Sequence, residues 1–305
     1  MRIYDIIIIG GGPAGYTAAL YGARAGLDTL IIERMSVGGQ MSITDVIDNY
    51  PGFNDGIDGI ELSFKMQAGS ERFGAKTEYA EVLDVDFLGK VKKIITSSGE
   101  KFAYTVIIAT GANPRLLGVD GEEKFTARGV HYCAHCDGRF YKDKTVIVAG
   151  GGNTAVSDAL YLSRLAKKVY LVHRRDSLKA TKIYVDALEK IDNVESVFSA
   201  NILRIDGAEK FEGIVVKRPD GENKIIADGL FVSVGRVPAT KIFDGKVELD
   251  SDGYIIANES TKTNVGGVYA VGDVRTKVLR QVVTAVGDGA VAVHYAEEYI
   301  NGLEK

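Results

Sequence analysis

Cys133-Ala134-His135-Cys136-Asp137 concentrates the reactive groups of this chain. Two thiols three positions apart can open and close a disulfide or ligate a soft metal, and a carboxylate directly after them can exchange protons with sulfur. Both cysteines of the chain lie in this motif, which excludes a structural disulfide framework and leads to the expectation of a reducing compartment. A tetrahedral structural zinc wants four ligands, whereas no second C-x-x-C or H-x-x-H exists and His131 does not supply the missing pair, so no metal site is expected. Redox exchange requires a thiolate, which electropositive neighbours favour. His135 either helps to hold that thiolate or faces a partner surface, and Arg128 and Arg139 flank the motif where an acidic partner would meet them.

Glycine-rich turns supply the framework around this dithiol. Residues 4–9 form a β-branched apolar run, Gly10, Gly12 and Gly15 spell G-x-G-x-x-G, and an alanine-rich helical stretch covers 16–25. The glycines permit a tight turn and close backbone approach, while the helix N-terminus offers free N–H groups to a pyrophosphate. The next strand, 29–32, ends at Glu33, where a carboxylate accepts from a ribose diol and repels a 2′-phosphate. The pattern returns 140 positions later as a strand over 145–149, Gly150, Gly152 and Ala155, a helix over 156–165 and a strand over 169–172. That second strand closes on His173, Arg174 and Arg175, with Lys179 nearby, a set able to pair with a 2′-phosphate. The first unit therefore suits FAD and the second NADPH, with NADH the weaker candidate. The bland alternative is that these cations, with Lys167, Lys168 and Lys182, are a solvated helix end.

A smaller echo indicates how the units join. Residues 106–114 and 231–238 are both apolar strands closing on G-x-x-P, which reads as an exit into a linker, so domain crossings are expected near 111–118 and 235–245. The expected class is α/β, with two Rossmann-like dinucleotide-binding domains, the second inserted in the first. Residues 1–112 and 243–305 would form the FAD-binding domain, and 113–242 an NAD(P)H-binding domain carrying the dithiol. Near the C-terminus an apolar strand ends in Gly272-Asp273 before a helical run over 284–299; Asp273 either holds ribityl hydroxyls or caps a helix.

Composition bounds the partners. With 37 Lys+Arg against 41 Asp+Glu, the net charge of −4 gives no electrostatic reason to expect nucleic acid or an anionic membrane. No signal peptide is read at the N-terminus, and no apolar run approaches the ~20 residues that span a bilayer, so a cytoplasmic location is expected. Tyr21, Tyr295 and Tyr299 read as core or dimer-surface aromatics rather than catalytic acids.

Along nearly its whole length the chain resembles the low-molecular-weight bacterial and archaeal thioredoxin reductases, class-II pyridine nucleotide-disulfide oxidoreductases. Matching segments are Gly10 to Gly15, Gly38-Gly39-Gln40, 48–53, 72–75, Ala109-Thr110-Gly111-Ala112, Cys133 to Gly138, 173–176, Gly272-Asp273, and Arg280-Gln281 with Gly287-Asp288-Gly289. The resemblance implies that Glu33 binds the adenosine ribose, that Gly38, Gln40, Asn49 and Gly111 line the flavin, and that Asp273, Arg280 and Gln281 hold its ribityl and ring portions. It further implies that Cys136 faces the flavin, that Cys133 attacks the partner's disulfide, and that Asp137 serves as general acid and base. The resemblance also implies the three-layer ββα form for the two domains, and members are homodimers whose central domain rotates between two poses. Two departures stand out: the family's His-Arg-Arg-x-x-x-Arg ends here in Lys179, and Asn153 to Asp158 replaces Asp-Ser-Ala-x-Glu-Glu.

The leading expectation is electron flow from NADPH through FAD and Cys133–Cys136 to thioredoxin or a thioredoxin-like protein. Alternatives are NADH or reduced ferredoxin as donor, a dithiol oxidase running the site backwards with oxygen, and a non-catalytic redox sensor. The flavin component of a peroxide-reducing pair usually bears an extra N-terminal dithiol domain, whereas Met1 stands almost at the first strand here.

Overall fold

The computed structural model describes residues 2–44 and 46–303. Residues 1–113 with 237–305 form one unit and 114–236 a second. Among the described residues, no helix is long and apolar enough to cross a membrane.

The isoleucine run of the sequence becomes the central strand of the first unit, Ile3–Ile9, hydrogen-bonded in parallel to Thr29–Glu33 on one side and Gly99–Ile108 on the other. Lys76–Tyr79 extends the sheet beyond Thr29–Glu33, and Val268–Ala270 pairs in parallel with the end of Gly99–Ile108. Side chains alternate between faces, and both faces are covered, which explains an unbroken apolar run rather than an alternating one. Ile6 and Ile8 pack under the helices Pro13–Arg24 and Val282–Leu303, against Ala14, Ala18, Ala292 and Ala296. Ile7 and Ile9 point the other way, toward Phe87, Phe243 and Ile255. Small residues on both helices bring their backbones close: a Cβ at Gly289 would overlap the Ala14 carbonyl oxygen. Lys92–Thr96 and Val82–Asp86 complete the sheet as antiparallel strands.

The second unit has three layers. Its parallel sheet runs Val130–His131, Gly229–Val232, Thr145–Ala149, Lys168–Val172 and Val194–Val197 in spatial order. Val146, Val148, Leu171 and Phe231 face the helices, chiefly Asn153–Leu162 with Ala155, Ala159 and Leu162. Ile147, Ala149, Leu230 and Val232 face an antiparallel meander of Asn201–Asp206, Gly213–Arg218 and Gly221–Ile226. Fully burying one such aliphatic side chain contributes roughly 1.5–3 kcal/mol, so the two stacked faces are the main support of each fingerprint turn.

Candidate active site

In the first unit, Gly10 leaves the central strand with φ 109°, a left-handed conformation, and a Cβ there would meet the Ala109 carbonyl oxygen. A Cβ on Gly15 would overlap the Gly10 carbonyl oxygen, so Pro13–Arg24 packs onto the turn only because both positions lack side chains. Gly12 differs: a Cβ there would enter open space, with only the Gly38 carbonyl oxygen at 4.0 Å. Gly12 caps the helix without any side-chain hydrogen bond, which leaves first-turn N–H groups pointing into that space. Glu33 stands over the same turn, its Oε2 accepting from the Gly11 N–H at 2.7 Å. This cradle fits the pyrophosphate and adenosine ribose of a dinucleotide.

The remaining residues expected around a flavin come from distant parts of this unit. Gly38, at φ 97°, donates its N–H to the Gly11 carbonyl at 2.7 Å. Gln40 Nε2 lies 3.4 Å from Asn113 Oδ1, and Asn49 Nδ2 donates to Gln281 Oε1 at 2.8 Å across 232 positions of sequence. Gly111 accepts from the Ala239 N–H at 3.0 Å. Gly272 and Asp273 open a short 3-10 turn, Gly272–Val274. The Arg280 guanidinium lies over the Tyr254 ring at 4.1 Å, and its Nε is buried without a partner, a donor that a bound group would satisfy.

In the second unit Gly150, Gly152 and Ala155 repeat the turn. Gly152 again caps its helix without a side-chain bond, and a Cβ on it would meet nothing. His173 is buried against Gly151, its ring filling the place a Gly151 Cβ would need. Burial, then the charges of Arg175, Arg174 and Lys179, hold its imidazole below the ordinary histidine value, so it is neutral at pH 7. Its Nε2 has no partner. Arg174, Arg175 and Lys179 are exposed, and the Lys179 N–H donates to the Gly151 carbonyl at 2.7 Å, which fixes that lysine beside the fingerprint.

The dithiol sits in the same unit. Cys133 and Cys136 form a disulfide, with Cα atoms 5.3 Å apart, and Cys133 caps the short helix Ala134–Asp137. That helix rests on the fingerprint helix: a Cβ on Gly138 would lie 2.9 Å from Leu162 Cδ2, and the His135 ring is 4.2 Å from that of Tyr161. His135 is exposed, and it is His131 that reaches Asp137, its Nδ1 lying 3.3 Å from Asp137 Oδ2. No group of three or more His, Cys, Asp or Glu side chains able to hold a metal occurs among the described residues.

A family model described as pyridine nucleotide-disulphide oxidoreductase matches residues 4–289. The chain belongs to this family. A thioredoxin reductase of Listeria monocytogenes is 47% identical over 308 residues, covering 100% of this chain and 96% of that protein. One from Bacillus subtilis is 42% identical over 308 residues, with 100% and 97% covered. The crystal structure of thioredoxin reductase from Streptococcus pyogenes matches with a TM-score of 0.92 at 43% identity, over 98% of this chain and 99% of that one. The two Rossmann-like units described above are thus the two dinucleotide-binding domains of the pyridine nucleotide-disulphide oxidoreductase fold. Members are flavoproteins that use a pyridine nucleotide.

Two aspartates named in the sequence, Asp288 in a matching segment and Asp158 in a departure, have contacts that the sequence did not indicate. Asp288, on the helix Val282–Leu303, accepts from Gly272 N–H at 2.8 Å, Arg275 Nε at 2.8 Å, Arg275 Nη2 at 2.7 Å and Lys277 Nζ at 2.8 Å. Burial raises the Asp288 carboxyl, but the bonds from Arg275, Lys277 and Gly272 outweigh it and hold the group below the ordinary carboxylate value. This buried network locks the Gly272-Asp273 turn, and its one signal in the sequence was an aspartate among small apolar residues. Asp158, in the second fingerprint helix, is the other: burial raises its carboxyl, which accepts from Ser233 Oγ at 2.6 Å.

Proposed function

We propose that the chain passes electrons from NADPH, through FAD and the Cys133–Cys136 pair, to the disulfide of thioredoxin or a thioredoxin-like protein. The observation that carries this reading is the oxidised Cys133–Cys136 pair, seated on a dinucleotide fingerprint helix and followed directly by Asp137. The relatives named above, thioredoxin reductases matched over their full length, support the choice of partner.

FAD would lie on the first unit, with Glu33 accepting from the ribose, the uncapped helix turn after Gly12 facing the pyrophosphate, and Arg280 Nε donating to the group beside it. NADPH would lie on the second, where Arg174, Arg175 and Lys179 meet the 2′-phosphate and neutral His173 offers Nε2 as a hydrogen-bonding atom. Lysine at 179 supplies charge without the planar fork of arginine, so NADH remains a weaker donor. The flavin supplies two-electron chemistry that links nicotinamide to disulfide. Cys133 is the sulfur that attacks the partner, Cys136 resolves the mixed disulfide, and Asp137 exchanges the proton.

The reading includes a homodimer in the cytoplasm, with neither nucleic acid nor a membrane as partner. Ile60 and Phe64, one turn apart on the helix Gly59–Glu71 and 49% and 56% exposed, are apolar surface available to a second copy. The direct test is NADPH oxidation with disulfide-form thioredoxin. Wild type should turn over, and Cys136→Ser should keep bound FAD and lose turnover; turnover retained in Cys136→Ser would overturn the reading.

A further inference from the structure

His131 is two residues upstream of the dithiol and belongs to no motif, yet it lies at the centre of a three-residue chain. It sits on the two-residue strand Val130–His131, with Asp137 at the end of the short helix and Tyr141 at the end of the turn Gly138–Tyr141. His131 Nδ1 is 3.3 Å from Asp137 Oδ2, and His131 Nε2 is 2.6 Å from the Tyr141 hydroxyl. The imidazole stacks on Phe231 with ring centroids 5.3 Å apart, and Tyr141 meets both rings edge-on at 5.3 Å. Side-chain exposures of 11% for His131 and 20% for Asp137 keep the pair largely out of water. The other charged groups facing the set are Asp228 beside Tyr141 and Lys144, whose Nζ is 5.5 Å from the Tyr141 ring centroid.

We propose that His131 and Asp137 act as one proton-exchanging pair for the dithiol, with Tyr141 fixing the imidazole tautomer. Burial, then the charges of Asp137 and Asp228, push the Tyr141 phenol up to about 12, so it keeps its proton at every working pH. When that O–H donates to Nε2, the ring proton must sit on Nδ1, directed at the Asp137 carboxylate. The reverse tautomer would set the Nδ1 lone pair against the carboxylate. His131 is thus a positioning residue that also stores the proton Asp137 delivers. This inference rests on the disulfide-exchange reading above.

The step balances without a cofactor. The Cys133 thiolate attacks one sulfur of the substrate disulfide; the substrate S–S bond breaks, and the released sulfur takes a proton from the pair. The Cys136 thiol then returns a proton to the pair and attacks Cys133, forming Cys133–Cys136 and expelling the second substrate sulfur as thiolate. The enzyme dithiol is oxidised, the substrate disulfide reduced, and the pair ends as it began.

A leaving sulfur of low pKa departs fast without a proton, whereas an alkyl thiolate leaves more slowly and gains from proton donation. The test is therefore anaerobic release of the first thiol from the pre-reduced, FAD-loaded protein, with 5,5′-dithiobis(2-nitrobenzoate) and with hydroxyethyl disulfide. In His131→Asn an amide N–H can replace the Nδ1 donor, but the side chain cannot store a proton. The ratio of aryl to alkyl rates, in which the ionisation of Cys133 cancels, should rise about 10-fold or more and lose its dependence on pH. Tyr141→Phe keeps the ring packing, and its ratio should rise roughly threefold by freeing the tautomer. A ratio within about twofold of wild type in His131→Asn, with its pH dependence unchanged, overturns the proposal. Because neither probe is a protein, failure to reduce thioredoxin with NADPH would instead count against the function proposed above.

Discussion

The two fingerprint turns share one backbone design and differ at the third fingerprint position, Gly15 against Ala155, and at the tip of the second strand. In the first unit the tip is Glu33, a carboxylate held at 2.7 Å by the Gly11 N–H. In the second it is His173, a buried neutral ring pressed on Gly151, with the cations displaced to Arg174, Arg175 and Lys179. Both helix N-termini lack a side-chain cap, so on the proposed reading the choice of dinucleotide falls to these few side chains. On the proposed reading, the fold supplies phosphate binding and the strand tip supplies selectivity.

The first turn breaks most severely at Gly15, the position that carries Ala155 in the second. Gly15→Ala drives a methyl group into the Gly10 carbonyl; we expect a loss of about 3 kcal/mol or more and a melting temperature lower by roughly 6–12 °C, with FAD content falling in parallel. Gly12→Ala, whose Cβ meets open space, should melt within about 2 °C of wild type while binding FAD more weakly. Equal melting points for the two variants would contradict the account of the turn.

Changing the tips should act on ligands rather than on the fold. Glu33→Gln removes the charge that accepts from Gly11 and that the proposed reading assigns to the ribose, and the dissociation constant of the apoprotein for FAD, followed by flavin fluorescence, should rise about 10- to 100-fold. An unchanged constant would remove Glu33 from the site. Lys179→Arg adds a fork and should improve NADPH over NADH by a few-fold in kcat/KM, the smallest of these ligand effects; no change in the ratio would detach residue 179 from the phosphate.

His173 gives the comparison a pH signature. Unfolded, the ring protonates as pH falls through about 6.5, whereas the folded ring stays neutral to lower pH. Its contribution to stability is therefore full above the ordinary histidine value and is lost as pH falls through the lowered folded value. Between about pH 8 and pH 5, His173→Gln should lose less melting temperature than wild type. An equal or larger loss in the variant would show that His173 is not held neutral.

Much of this was readable because glycine and isoleucine leave few choices. The turns at Gly10 and Gly150 and the strands feeding them follow from positive φ, close approach and the need to bury both sheet faces. The third layer of the second unit was legible only through resemblance: its meander carries no motif, and a bulge between Ile202 and Arg204 breaks the alternation that would mark a strand. The pairing of His131 with Asp137 was hidden for another reason. It needs a two-residue strand, a one-turn helix and a 3-10 turn to converge, and no spacing rule anticipates such a meeting. Arg275 and Asp288 meet only because the helix Val282–Leu303 is laid on the sheet, and no spacing in the sequence pairs them.

Anaerobic mixing of the FAD-loaded protein with NADPH or NADH, followed by stopped-flow loss of the flavin's visible absorption, tests the division of labour between the two tips most directly. The account predicts rapid bleaching by NADPH and much slower bleaching by NADH, with the NADPH advantage lost in an Arg174→Ala, Arg175→Ala double variant. Slow bleaching by both nucleotides would contradict it, moving the electron donor elsewhere and reducing the cluster from Arg174 to Lys179 to a solvated surface.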